Sequence, residues 1–260
     1  MLHYITHLHE NPKAPWVTMV HGAGGSSSIW FRQLRDYRKH FHVLMVDLRG
    51  HGKSKGQVYE KLKRYTFDVI SDEVVEVLNH LNIRKSHFVG ISLGTVVIRE
   101  IAERFPDRVQ SMVLGGAVMK LNLRGQVLMR LGVLLKSVLP YLLLYKFFAF
   151  IIMPRKTHRE SRNLFVNEAR KLYQKEFIRW FTLASQVNPL LAFFRIKDCG
   201  IPTLYVMGEQ DHMFLPSISR LVKDHTSSRL HVIPDCGHVV NVERPKDFNR
   251  ETVGFMLGIG

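Results

Sequence analysis

Short, nearly continuous runs of apolar residues alternate along the chain with longer amphipathic segments. Four runs lie in the first 115 positions and two more follow position 200: PWVTMVHG from 15, FHVLMVDLRG from 41, SHFVG from 86, QSMVLGG from 110, IPTLYVMG from 201 and SRLHVIPDCG from 228. Runs that are continuous rather than alternating are typical of strands buried on both faces. The pattern therefore predicts an α/β fold with a mostly parallel central sheet and helices on both faces.

The segment that follows SHFVG has helical periodicity. Apolar residues recur at spacings of three to five from Leu93 to Phe105, and Pro106 then stops the pattern. The sequence thus predicts a strand, a tight turn that holds Ser92, and a helix. A last helix is predicted over PKDFNRETVGFML, which Pro245 begins.

The most apolar stretch of the chain is LGVLLKSVLPYLLLYKFFAFIIM, residues 131–153. A membrane-spanning helix needs about 20 residues nearly free of charge, whereas Lys136, Pro140 and Lys146 interrupt this stretch. We therefore expect two short apolar helices that meet near Pro140 and cover an apolar site.

Composition and charge narrow the class of protein. The 260 residues are 46% hydrophobic and 23% charged, which fits one large globular domain rather than a disordered chain. The net charge is +15, and residues 118–198 hold 15 Lys and Arg against 4 Asp and Glu. Such a segment suits either a solvated basic face or peripheral contact with an anionic membrane.

Two further expectations concern partners and location. No groove-reading motif accompanies the charge, so no nucleic acid partner is expected. The first residues, MLHYITHLHENPKAPW, have neither a basic start followed by an apolar core nor a small-residue cleavage site. We therefore expect a cytoplasmic protein, with peripheral membrane association left open.

Candidate chemistry begins at GISLG, residues 90–94, between the predicted strand and helix. A serine in such a turn adopts strained backbone angles, and glycine two positions before and after it leaves the room this requires. The Ser92 hydroxyl then projects above the carboxyl edge of the sheet, where the first amides of the helix favour negative charge. This context predicts a nucleophile.

A serine nucleophile needs a base and a residue that orients the base. Asp211 in MGEQDHMFLP and His238 in IPDCGHVVNVERP each follow the carboxyl end of a predicted strand. Loops at these strand ends rise on one edge of the sheet, so Ser92, Asp211 and His238 are predicted to meet. Asp224 and Asp235 are poorer candidates for the acid because neither occupies the G-x-x-D position.

Five motifs together resemble the α/β-hydrolase fold superfamily, in its form with one helical cap insertion. They are HGAGGSSSIW at the oxyanion loop, DLRGHGKS after the following strand, GISLG at the nucleophile elbow, GEQDHMFLP at the acid loop and GHVVNVERPKDFN at the histidine loop. The resemblance covers nearly the whole chain outside the cap. It implies a core in two parts, 1–117 and 199–260, and a helical cap over 118–198.

The resemblance also implies a catalytic triad and an oxyanion hole. Ser92 would attack a carbonyl carbon, His238 would take its proton and later return one, and Asp211 would hold the imidazole in the correct tautomer. The backbone amides of Leu93 and Ala23 would bind the oxyanion, with Gly24 as the alternative to Ala23.

Other polar residues of these motifs receive supporting roles. His21 is expected to shape the oxyanion loop, and Asp47, Arg49 and His51 are expected to bond each other and the backbone. The histidines of HYITHLHE alternate on a predicted strand without cysteines or matched acids nearby, so we predict no metal site. The proposed chemistry needs no cofactor.

The cap is rich in Leu, Phe, Ile and Met, which suits the wall of a pocket for an apolar group, although the same residues could simply hold the cap together. The predicted function is hydrolysis of a carboxylic ester with a medium or long apolar acyl chain, through an acyl-enzyme intermediate. Epoxide hydrolases and haloalkane dehalogenases of this fold use a carboxylate where this chain has Ser92.

Several alternatives remain open at this point. Thioesterases, lactonases, haloperoxidases and carbon–carbon bond hydrolases of the fold keep a serine, so the triad does not separate them. An interfacial lipase-like enzyme is a further possibility. The alternative from another class is a hydrolase-fold signalling receptor or binding module with slow turnover, for which the basic cap would be the docking surface.

Overall fold

The structure is a computed structural model that describes residues 1–56, 65–120, 126–127, 132 and 139–259. Its centre is a sheet of seven strands in the order β1-β3-β2-β4-β5-β6-β7. The strands are β1 Tyr4–His7, β2 Trp16–Val20, β3 His42–Val46, β4 Ser86–Ile91, β5 Val109–Gly115, β6 Thr203–Gly208 and β7 Ser228–Ile233. The edge strand β1 runs antiparallel to β3, and the other neighbours are parallel. The predicted α/β class is confirmed, and each predicted run coincides with most or all of one strand.

The helices lie between and around these strands. Those whose two ends lie in the described residues are α1 Phe31–Tyr37, α2 Phe67–His80, α3 Leu93–Arg104, α4 Tyr141–Ile152, α5 Arg159–Ala169, α6 Gln174–Ser185, α7 Asn188–Ile196, α8 Leu215–Asp224, α9 Val240–Glu243 and α10 Pro245–Leu257. The helix predicted from periodicity after Ser92 is α3, and the last helix, predicted to begin at Pro245, is α10. Pro106 follows α3 within two residues.

Two hydrophobic clusters cover the two faces of the sheet. Leu44 and Val46 of β3 pack with α2 and α3 on one face, whereas Val43 and Met45 pack with α1 and α10 on the other. Successive residues of a strand point to opposite faces, so a strand between two helix layers must be apolar at every position. This packing explains why the runs in the sequence are continuous.

Helices α4 to α7 lie between β5 and β6 in the chain, within the segment predicted to be a cap. Helix α4 begins directly after Pro140, as expected for the second apolar helix. The first of the two expected helices falls on 131–139, most of which lies outside the described residues. Within the described ranges, no helix has both the length and the apolar character needed to cross a membrane.

Candidate active site

Ser92 occupies the sharp turn between β4 and α3. Its backbone angles are φ 53° and ψ −123°, and its N–H donates to the Gly115 carbonyl at 3.0 Å. A side chain is rare in this conformation and costs about 1–3 kcal/mol. A Cβ at Gly90 would lie 2.5 Å from Ile98 Cδ1, and one at Gly94 would lie 2.4 Å from the Val20 carbonyl oxygen. Backbone atoms therefore exclude a side chain at Gly94, whereas a side chain at Gly90 would have to displace the end of the Ile98 side chain.

The structure brings Ser92, His238 and Asp211 together above the carboxyl edge of the sheet. Ser92 Oγ lies 2.9 Å from His238 Nε2, and His238 Nδ1 lies 2.8 Å from Asp211 Oδ2. The carboxylate can only accept, so Nδ1–H donates to it and Nε2 is left to accept from the serine hydroxyl. His238 and Asp211 are buried.

The acid loop holds the carboxylate in place. Asp211 lies three positions after β6 ends, and its second oxygen, Oδ1, accepts the Phe214 N–H at 3.1 Å. The other candidates lie elsewhere: Asp235 Oδ1 accepts from Gln210 at 3.3 Å, and Asp224 is the last residue of α8. Of the three aspartates considered from the sequence, Asp211 is the one that bonds His238.

The oxyanion loop, residues 21–25, is held by neutral histidines. His21 Nδ1–H donates to the Gly22 carbonyl at 2.7 Å, while His21 Nε2 accepts the Leu48 N–H at 3.0 Å. Each ring nitrogen has one role, which is the pattern of an uncharged imidazole. Burial lowers the pKa of His21 and keeps it in that form. The expected loop-shaping role of His21 agrees with these contacts.

A second histidine, His51, holds Gly24 of the same loop through one accepting and one donating ring nitrogen. Its Nε2 accepts the Gly24 N–H at 2.8 Å, and its Nδ1–H donates to the Arg49 carbonyl at 3.1 Å. Because the Gly24 amide is engaged by His51, Ala23 is the better candidate for the oxyanion donor beside Leu93.

Asp47 supports the site through hydrogen bonds to the backbone, and Arg49 supports it through an ion pair. Asp47 accepts the backbone N–H groups of Ser27 at 2.7 Å and Lys53 at 2.9 Å. Burial alone would raise the pKa of Asp47, but these hydrogen bonds lower it below its ordinary value. Arg49 forms a buried ion pair with Glu73. The expected backbone bonds are present, whereas the Glu73 partner was missed.

A cavity of about 140 Å³ lies directly over Ser92 and His238. Helices α4 to α6 supply most of its aromatic wall, which includes Tyr145, Phe148, Phe177, Trp180 and Phe181. Such a wall desolvates an apolar group next to the serine.

The polar atoms of two residues of the cavity wall form hydrogen bonds that link α4 and α6 to the core. The Tyr145 hydroxyl donates to the Ala23 carbonyl at 2.9 Å, and Trp180 Nε1–H donates to the Arg49 carbonyl at 3.0 Å. Sequence reasoning missed both residues. No local signal marks them, because their partners lie 122 and 131 positions away.

Replacing Gly24 by alanine is expected to disturb the oxyanion loop. A Cβ there would lie 1.9 Å from the Tyr145 hydroxyl oxygen, and Gly24 has φ +76°. The clash must displace Tyr145 or the Ala23 carbonyl, so we expect kcat to fall at least tenfold. Gly200→Ala is the control, since Gly200 has φ +69° with nothing within 4 Å of a Cβ. Equal kcat for the two variants would argue against this role.

The buried His51 is expected to make stability depend on pH. Burial, with a smaller effect of neighbouring His21, lowers the pKa of His51 to about 3. The neutral ring stabilises the fold fully above about pH 6.5, its ordinary pKa, and this contribution is lost as the pH falls towards 3. The loss at about pH 4.5 amounts to about 3 kcal/mol.

Denaturant unfolding at pH 7 and at about pH 4.5 measures this effect. His51→Gln cannot titrate, so its free energy of unfolding is expected to fall less between the two pH values than that of the wild type. His40, an exposed histidine, provides the control variant His40→Gln. An unchanged pH dependence in His51→Gln would show that the imidazole of His51 is not responsible.

The family model described as alpha/beta hydrolase fold matches residues 15–245, and the chain belongs to this family. A relative from Agrobacterium fabrum, named "Putative carbamate hydrolase RutD", is 27% identical over 264 residues, which cover 98% of both chains. Epoxide hydrolase 3 of Mus musculus is 25% identical, covering 98% of this chain and 73% of the relative.

Solved structures agree on the fold. The enol-lactonase from Burkholderia xenovorans LB400 superposes with a TM-score of 0.80 at 21% identity, covering 98% of this chain and 96% of that one. The family match and the relatives identify the protein as an enzyme, a hydrolase of the α/β fold, as the resemblance in the sequence implied.

Proposed function

We propose that the protein is a serine hydrolase that cleaves carboxylic esters with an apolar acyl chain through an acyl-enzyme intermediate. The observation that carries the proposal is the hydrogen-bonded series Ser92, His238, Asp211, of which Ser92 and His238 line an apolar cavity. Its arrangement is that of a nucleophile, a general base and a residue that orients the base.

In the first half of the reaction, Ser92 Oγ attacks the ester carbonyl carbon while His238 Nε2 takes the hydroxyl proton. The carboxylate of Asp211 stabilises the imidazolium that forms. The backbone amides of Leu93 and Ala23 donate to the developing oxyanion, and each such donor contributes about 3 kcal/mol in the transition state. His238 then gives its proton to the departing alcohol, which leaves Ser92 acylated.

In the second half, water replaces the alcohol. His238 Nε2 takes a proton from the water as it attacks the acyl carbonyl, and the same amides bind the second oxyanion. When the intermediate collapses, the proton returns to Ser92 Oγ and the carboxylic acid is released. The chemistry uses only groups of the chain and water. That no metal or cofactor takes part stays a prediction.

The cavity supports an apolar acyl group as the part of the substrate next to the serine. Phe148, Phe177 and Phe181 offer hydrocarbon surface, and the polar atoms of Tyr145 and Trp180 are already bonded to the core. We assign this wall to the cap, 118–198, inserted between the two parts of the core.

The names of the relatives are compatible with attack on a carbonyl. Carbamates and lactones share with open esters an acyl carbon that a serine can attack. The relative named as an epoxide hydrolase belongs to a class that uses a carboxylate nucleophile on this fold. Ser92 stands at that position here, and this favours carbonyl substrates.

A graded series of chromogenic esters, from acetate to long acyl chains, tests the proposal. The wild type is expected to show an optimum in kcat/KM at a medium or long chain. Ala184 lines the cavity, so Ala184→Phe is expected to lower activity on the longest esters at least tenfold more than on acetate.

Ala192→Phe is the matched control, because Ala192 lies on α7 outside the cavity lining. If both variants keep the wild-type chain-length profile, the cavity is not the acyl site. If the folded wild type turns over no ester of the series, the ester proposal itself is wrong.

A further inference from the structure

One face of α4 carries large apolar side chains that point into solvent. Leu143, Phe147 and Phe150 are 53%, 55% and 58% exposed, and Lys146 is exposed between them. Positions i, i+3, i+4 and i+7 lie on one side of a helix. We call these four residues the outer face of α4.

The opposite side of the same helix faces the cavity and the core. Tyr145, Phe148 and Ile152 line the cavity over Ser92, so packing on the core accounts for them. It does not account for the outer face. Isolated exposed apolar residues are ordinary, but three within eight positions on one helix face form a patch of the kind that marks an interaction site.

Basic residues lie at the C-terminal end of the outer face. The Arg162 guanidinium lies over the Phe150 ring at 5.6 Å, and Arg155, Lys156 and Arg159, just beyond the end of α4, are exposed. The segment 141–162 contains five Lys and Arg and a single acid, Glu160, which pairs with Arg32 of the core. The patch is therefore both apolar and positively charged.

We propose that the outer face of α4 binds the surface of an anionic lipid bilayer. Such a surface offers hydrocarbon to Leu143, Phe147 and Phe150, and phosphate to Lys146 and the neighbouring basic residues. A nucleic acid would supply the phosphate without the hydrocarbon. A second copy of this chain would bring one basic patch against another, which like-charge repulsion opposes.

Binding in this way places the active site beside the bilayer. A helix with its side chains is about 10 Å across, and α4 has the bilayer on one side and the cavity on the other. The proposal goes beyond ester hydrolysis and does not depend on it, because the binding measured below requires no turnover.

Sedimentation with vesicles tests the proposal. The purified protein is mixed with vesicles of phosphatidylcholine alone or of phosphatidylcholine with phosphatidylglycerol, at about 50 mM and about 500 mM salt. We expect binding to the anionic vesicles at low salt, release at high salt, and much weaker binding to the neutral vesicles. The same result is expected for Ser92→Ala, which separates binding from catalysis.

Two pairs of variants locate the surface. Lys146→Glu is expected to lower partitioning at least about fivefold, the effect of one basic residue near an anionic surface. Leu143→Ser is expected to lower it several-fold. The controls are Lys246→Glu and Leu257→Ser on α10, where Lys246 is exposed and Leu257 is 49% exposed. Both controls should bind as the wild type does.

Three results would overturn the proposal. The first is no binding to anionic vesicles at low salt, and the second is equal loss of binding in the α4 and α10 variants. The third is a protein that forms dimers in gel filtration and loses them in Leu143→Ser, because the outer face would then be covered by a second copy. Thermal unfolding of each variant confirms that it is folded.

Discussion

Ser92→Ala is expected to lower kcat/KM for the preferred ester by about 10⁴-fold or more, equivalent to about 5.5 kcal/mol of transition-state stabilisation. The substitution removes the only atom proposed to bond the acyl carbon, and the residual rate then depends on the oxyanion amides and binding alone. Alanine leaves the turn in place, because Ser92 already holds its strained φ of 53° with a Cβ present.

Purified Ser92→Ala and wild type, assayed side by side, measure this effect. Ser161→Ala is the control, since Ser161 is a buried serine whose hydroxyl bonds no other group within the described part of the chain. It should keep wild-type activity. Retention of more than about a hundredth of the wild-type rate by Ser92→Ala would exclude an acyl-enzyme on Ser92.

Asp211→Asn is expected to lower kcat by about 10³ to 10⁴-fold with a small effect on KM. The amide occupies the same space, but its NH₂ group can donate to His238 Nδ1, which then becomes an acceptor. The ring proton moves to Nε2, so His238 can no longer accept the proton of Ser92. The fold should persist, because the amide oxygen can still accept the Phe214 N–H that Asp211 Oδ1 accepts now.

Asp235→Asn provides the matched comparison. Asp235 lies three positions before His238, and its φ of 47° is one that asparagine tolerates. Its carboxylate accepts from Gln210 rather than from His238, so the variant should keep most of the activity. If Asp235→Asn lost as much activity as Asp211→Asn, the assignment of Asp211 as the orienting acid would be wrong.

The contacts of α4 and α6 with the core connect the wall of the cavity to the oxyanion loop and to the loop at Arg49. Tyr145 lines the cavity and also donates a hydrogen bond to the Ala23 carbonyl. Trp180 lines the cavity and donates to the Arg49 carbonyl. A change in the aromatic wall can therefore alter the position of the loop as well as the size of the cavity. For this reason the acyl-chain profile is compared within each variant as a ratio to acetate.

The sequence by itself predicted the strands, the turn at Ser92 and the three residues of the proposed triad, which the structure places within hydrogen-bond distance of one another. Continuous apolar runs follow from burial on both faces of a sheet, and the glycines of GISLG follow from close approach at one turn. Asp211 and His238 could be chosen because each follows a strand that ends on the same edge as β4. These signals are local, or depend on the order of parallel strands.

Only the tertiary structure decided which side chains surround the proposed triad. Arg49 pairs with Glu73, His51 bonds Gly24, and Tyr145 bonds Ala23, across separations of 24, 27 and 122 positions. Periodicity shows that α4 is apolar, but not which of its faces packs on the core and which meets solvent. Which face is buried depends on how the helix packs against its neighbours, and that packing involves side chains from the whole molecule.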